Sequence, residues 1–94
     1  MAKELARAHI FIQGQVQGVA YRWWTQKTAE RIGLTGWVKN LEDGRVEIVA
    51  EGEKGNLEKL IELAKTGPRF AEVTHVDVIW EDHTGEYSTF EVVR

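Results

Sequence analysis

The chain contains no cysteine and only one proline among 94 residues. Without thiols it has no disulfide framework, no thiolate metal site and no thiol nucleophile, so its stability must come from packing. It also lacks a strong charge of either sign: 12 Lys and Arg against 15 Asp and Glu leave a net charge of −3. That balance omits the positive excess that polyanion binders carry, and no nucleic-acid partner is expected. No apolar run approaches the roughly 20 residues of a membrane span. The N-terminal MAKELARAHIF has no continuous apolar stretch of the kind a signal peptide needs. The expectation is a soluble, cytoplasmic monomer with no membrane partner. Internal repeats, low-complexity tracts and linkers are absent as well. With 43% hydrophobic residues, the length suits one domain, residues 1–94, closing one core between two layers.

The apolar residues are patterned. RAHIFIQ, residues 7–13, puts Ala8, Ile10 and Ile12 on one side and His9, Phe11 and Gln13 on the other, the period of a strand. GQVQG then interrupts it. From Tyr21 to Ile32, the residues Tyr21, Trp24, Thr28, Ala29 and Ile32 mark one helical stripe that Gly33 ends. GWVKNL and RVEIVAE flank Glu42-Asp43-Gly44, whose Asp-Gly pair favours a tight turn, so the two segments should pair as a hairpin. A second helix is expected to be capped by Asn56, with Leu57, Leu60, Ile61 and Ala64 at i, i+3, i+4 and i+7, and to end at Gly67-Pro68. Residues 72–81, with Val76, Val78 and Trp80 on one face, and STFEVV from Ser88, with Phe90 and Val92, complete the strands. The order is β-α-β-β-α-β plus a C-terminal strand. That order predicts an α+β, ferredoxin-like sandwich in which an antiparallel sheet carries two helices on one face. Such a fold hosts enzymes, regulators and RNA binders alike, so it does not choose a function.

The segment that carries chemistry is Gly14 to Arg22, between the first strand and the first helix. Its glycines allow the backbone to fold closely around a ligand, and the helix start that follows presents unpaired N–H groups, a concavity suited to an oxyanion. Arg22 adds a permanent charge whose guanidinium gives two parallel hydrogen bonds to phosphate oxygens. Taken alone, a glycine-rich connection merely turns the chain, and Asn40 is a strand-end residue that satisfies the neighbouring turn.

Two motifs change that balance. GQVQGVAYR, from Gly14 to Arg22, resembles the first signature of the acylphosphatase family, G-x-V-Q-G-V-x-[FY]-R, at every specified position. GWVKNLEDGRVEIVAEG resembles the second, with Gly36, Trp37, Val38, Lys39, Asn40, Gly44, Val46 and Gly52 on its places. The resemblance extends over nearly the whole chain. It implies hydrolysis of acyl phosphates to a carboxylate and inorganic phosphate, with no cofactor and no metal. Carried over position by position, it implies that Arg22 binds the phosphate and that Asn40 orients the attacking water. Gln15, Val16, Gln17, Gly18, Val19, Ala20 and Tyr21 would form the phosphate cradle. Inorganic phosphate, the product, is then an expected competitive inhibitor. The adjacent Trp23-Trp24 lies outside the specified positions and would bear on packing or substrate access.

The remaining polar and aromatic residues read more plainly. His9, His75 and His83 show no metal-site spacing. The tryptophans and Tyr21 suit core or pocket wall. Glu58, Lys59, Glu62 and Lys65 suit a solvated helix face. Three other functions compete: a ferredoxin-like nucleic-acid binder stacking bases on Phe11 and Trp37, a phosphate-binding relative without turnover, and a module of a larger hydrogenase-maturation protein. The acidic balance, the presence of both Arg22 and Asn40, and the length of the chain respectively count against them.

Overall fold

The computed structural model describes residues 3–94. Its elements are β1 (Leu5–Gln15), α1 (Tyr21–Ile32), β2 (Thr35–Asn40), β3 (Val46–Glu53), α2 (Lys54–Ala64), β4 (Glu72–Glu81) and β5 (Phe90–Val93). The strands form one sheet in the order β4-β1-β3-β2-β5. Alternation works as the sequence implies: Ala8, Ile10 and Ile12 of β1, with Val46, Ile48 and Ala50 of β3, point to one buried face. Both helices cover that face, α2 lying against β1 and β3 and α1 against β2 and β5. Leu57, Leu60 and Ala64 of α2 are fully buried. Each such leucine contributes about 1.5–3 kcal/mol relative to an exposed one. The architecture is the ferredoxin-like sandwich with an added edge strand.

Three expectations are corrected. The sheet is not wholly antiparallel, because β5 pairs in parallel with β2. The cause lies in the connection. β4 ends beside the start of β1, with Glu81 opposite Arg7, at the end of the sheet where β2 begins. A chain that crosses at that end delivers β5 in the same direction as β2. Second, β1 runs past Gln13 to Gln15, with a bulge between Gln13 and Gly14, because β4 continues far enough to pair with it. Third, α2 begins at Lys54 rather than after an Asn56 cap. β3 enters the helix without a loop, and the Lys54 N–H donates to the Glu4 carbonyl at 2.9 Å. That backbone bond does the work a side-chain cap would do. The tryptophans divide between core and surface: Trp24 packs against the core, whereas Trp23 and Trp80 are exposed.

Gly36 is where the sheet is tightest. Its φ is 139°, and a Cβ there would meet the Val49 carbonyl oxygen at 1.9 Å. The Gly36 N–H donates to Thr89 O at 2.9 Å, so this one position couples β2 to β3 and to the start of β5.

The other face of the sheet carries no helix. Residues 82–89 cross it from β4 to β5, a distance of four interstrand steps, or roughly 19 Å, within the reach of about 27 Å of an extended segment of that length. Glu51, on the helix-free side of β3, holds the crossing in place. Its side chain is fully buried and accepts hydrogen bonds from Thr84 Oγ1 at 2.7 Å, Thr84 N–H at 3.1 Å and Gly85 N–H at 2.9 Å. Trp37 adds an Nε1–H bond to the Tyr87 hydroxyl at 3.1 Å.

Burial by itself pushes the Glu51 carboxyl up. The bonds from Thr84 and Gly85, with His83 nearby, outweigh burial and hold it below the usual carboxylate range. A depressed folded-state pKa gives stability that is fully present above the unfolded value, about 4.3, and is lost as pH falls through the folded one. Glu51→Gln should therefore cost on the order of 2–3 kcal/mol near neutrality. In urea titrations over a pH series, the gap to wild type should close as pH falls below about 4. A gap that stays constant down to acid pH contradicts the assignment.

Candidate active site

The passage from β1 to α1 must turn a strand into a helix within residues 16–20. Val16 is buried in the core. The Gln17 side-chain amide leaves the passage and donates to Leu41 O at 2.7 Å and Arg45 O at 2.9 Å, the carbonyls at the two sides of the β2–β3 turn. That turn is itself closed by Leu41 N–H to Arg45 O and Gly44 N–H to Leu41 O. Asp43 accepts from the Arg45 backbone N–H and Nε. These bonds, the backbone one foremost, hold its carboxyl below the usual range. One glutamine thus ties the passage to the hairpin.

Gly18 and Ala20 take left-handed conformations, with φ of 76° and 63°. Gly18 adopts this freely. Ala20 is the one non-glycine with positive φ among the described residues, and the conformation costs it about 1–2 kcal/mol. The result is a helix start with no side-chain cap. The first helical hydrogen bond runs from Trp24 N–H to Ala20 O, so the N–H groups of Tyr21, Arg22 and Trp23 have no acceptor within the helix. Tyr21 fixes their position: its ring is buried, and its hydroxyl donates to Ala64 O, at the end of α2, at 2.7 Å. Burial pushes the pKa of that hydroxyl up, which keeps it protonated as a donor.

Arg22 is half-buried and donates from Nη1 to the Val93 carbonyl at 3.3 Å, a long bond. It has no carboxylate partner among the described residues. Across the passage, Asn40 closes β2 opposite Val46, and its Oδ1 is buried without a hydrogen-bond partner. A buried orphan acceptor costs about 1–3 kcal/mol.

Val16, Gly18, Ala20, Tyr21, Arg22, Trp23, Asn40 and Val92 line a single concavity of about 370 Å³. The structure thus brings together Arg22, Asn40 and four of the seven expected cradle residues. The other three lie off the lining. Gln15 ends β1 opposite Glu72, Gln17 is turned to the hairpin, and Val19 packs against the core. Two further residues line it: Trp23, in keeping with the pocket-wall reading of the tryptophans, and Val92, which the sequence does not point to. Trp23 follows Arg22 at the helix start, a proximity visible in the sequence. Val92 arrives only through the parallel pairing of β5, which alternation does not encode. Among the described residues, no three His, Asp or Glu side chains are grouped to hold a metal ion.

Phe11 and Trp37 lie on the helix-free face with internal partners. The Arg45 guanidinium sits 4.9 Å above the Phe11 ring, and Trp37 is bonded to Tyr87 in the crossing segment. Glu47 lies on the same face, hydrogen-bonded to His9. This is a poor platform for stacked bases.

The Acylphosphatase family model matches residues 8–92. The acylphosphatase of Acaryochloris marina is 54% identical over 83 residues, covering 88% of this chain and 88% of that protein. The acylphosphatase of a Roseiflexus species is 48% identical over 90 residues, covering 96% of this chain and 97% of that protein. The crystal structure of acylphosphatase from Bacillus subtilis has a TM-score of 0.91 at 38% identity and covers 97% of this chain and 100% of that one. With its fold, its length and both motif segments inside these matches, the chain belongs to the acylphosphatase family.

Proposed function

We propose that this chain hydrolyses the carboxyl–phosphate bond of small-molecule acyl phosphates, with Arg22 and the N-terminal N–H groups of α1 holding the phosphoryl oxygens and Asn40 orienting the attacking water. Family membership supports the reaction class. The observation that carries the division of roles is Asn40, whose Oδ1 is buried and unpartnered, lining the same concavity as Arg22. An amide oxygen is too weak a base to deprotonate water, but it accepts a hydrogen bond and so fixes where the water's lone pair points. The water oxygen attacks phosphorus, the bond from phosphorus to the bridging acyl oxygen breaks, and the electron pair leaves on the carboxylate. A carboxylate is a good leaving group, so no general acid is required. The water's proton passes to a phosphoryl oxygen. Charge on the transferring group is met by donors already in place, which is where preorganised hydrogen bonds contribute most.

The primary test is release of inorganic phosphate from benzoyl phosphate by the purified protein. Replacing Arg22 by Ala or by Lys removes the planar double donor. Turnover should fall by at least about 100-fold, and inhibition by inorganic phosphate should weaken, while the thermal unfolding midpoint stays close to wild type. Near-normal hydrolysis by a folded Arg22→Ala protein would remove Arg22 from the site.

Asn40→Ala separates the second role from the first. Single-turnover hydrolysis should drop by about two orders of magnitude or more, because the nucleophile is no longer held in line. The inhibition constant for phosphate should move by no more than about threefold, since the Arg22 cradle is intact. Matching losses in rate and phosphate affinity would instead make Asn40 a binding residue.

A further inference from the structure

We infer that Trp23 forms the wall against which the acyl half of the substrate packs, and that it biases this site toward acyl phosphates bearing a flat aromatic group over those bearing a short alkyl group. The inference rests on the acyl-phosphate reading above. Three of the four tryptophans are occupied within the protein. Trp24 meets Tyr21 with ring centroids 5.4 Å apart, Trp37 donates to Tyr87, and the Lys54 ammonium lies 5.4 Å from the Trp80 ring centroid. Trp23 has no aromatic, cationic or hydrogen-bonding partner of this kind among the described residues, and it is 61% exposed. Burying an aromatic side chain is worth about 1.5–3 kcal/mol, which the folded chain leaves largely unrealised at this position.

The location of that indole connects it to substrate. It follows Arg22 directly at the start of α1, and successive helical residues diverge by about 100°. The guanidinium and the indole therefore approach one concavity from different sides. The lining divides by chemistry: Arg22, Asn40 and the exposed backbone of Gly18 and Ala20 suit a phosphate, whereas the side chains of Val16, Val92 and Trp23 offer it no hydrogen bond or charge. The volume of about 370 Å³ exceeds the need of one phosphate, a group with the bulk of roughly a few water molecules at ~30 Å³ each. The remaining space has apolar walls and an unpaired π-face. A planar aryl group there gains offset or edge-to-face contact with the indole, which a methyl group cannot match.

The test measures kcat/KM for benzoyl phosphate and for acetyl phosphate in wild type, Trp23→Ala and Trp23→Phe. Comparing the ratio across variants cancels the intrinsic difference in reactivity between the two substrates. Trp23→Ala should lower the benzoyl-to-acetyl ratio about five- to tenfold, mainly through KM, and Trp23→Phe should keep the ratio within about twofold of wild type. An unchanged ratio in Trp23→Ala, or equal loss on both substrates, overturns the role of Trp23 while leaving the hydrolytic reading intact. Wild-type protein that releases phosphate from neither substrate overturns that reading, and this inference with it.

Discussion

The site depends on a helix that begins without a cap. Most helices satisfy their first N–H groups with a side-chain oxygen, but α1 starts from Ala20, which has none and which sits in the left-handed region. The conformation costs about 1–2 kcal/mol. It is offset by bonds made on either side of it: two from Gln17 to the β2–β3 turn and one from Tyr21 to the end of α2, each worth about 1 kcal/mol net. The strain is thus held by the fold. The outcome is a helix start whose first N–H groups have no helical acceptor, beside the concavity that Arg22 and Asn40 line. The same Gln17 bonds join the passage to the hairpin whose first strand ends in Asn40, so the two halves of the site are set relative to each other by one side chain.

The helix-free face bears on the site from behind. Glu51 holds the crossing segment, the crossing segment leads into β5, and β5 supplies Val92 to the lining and the Val93 carbonyl to Arg22. A buried carboxylate with three donors is costly to desolvate and stabilises only while all three bonds are made. Its presence explains how a long connection crosses the sheet in a fixed path and delivers a short edge strand in register.

Much of this was legible in the sequence. Two-residue alternation in β1 and β3 and the 3.6-residue stripe in α2 identify the buried face because burial acts directly on side chains. Arg22 and the glycine-rich passage are contiguous, so their chemistry is visible locally. Asn40 is different: taken alone it reads as a turn residue, and only the resemblance of both motifs paired it with Arg22. What was not legible depends on contacts distant in the chain. Nothing in RVEIVAE distinguishes Glu51 from a solvated residue, because its burial comes from Thr84 and Gly85. The start of α2 is not legible either, because a backbone carbonyl of Glu4, rather than the Asn56 side chain, meets its first donor. Val92 reaches the site through a parallel pairing that a strand's own pattern cannot specify.

The most direct measurement is a titration of the isotope-labelled protein with inorganic phosphate, followed by ¹H–¹⁵N correlation spectra. Saturable shifts should concentrate on the backbone amides of Tyr21, Arg22 and Trp23 and on the Arg22 guanidinium, where donors meet the anion, with a smaller shift at the Asn40 side-chain amide that lines the same concavity. Saturable shifts confined to other surfaces, or no response from these groups at phosphate concentrations that inhibit hydrolysis, would contradict a phosphate site at the uncapped start of α1.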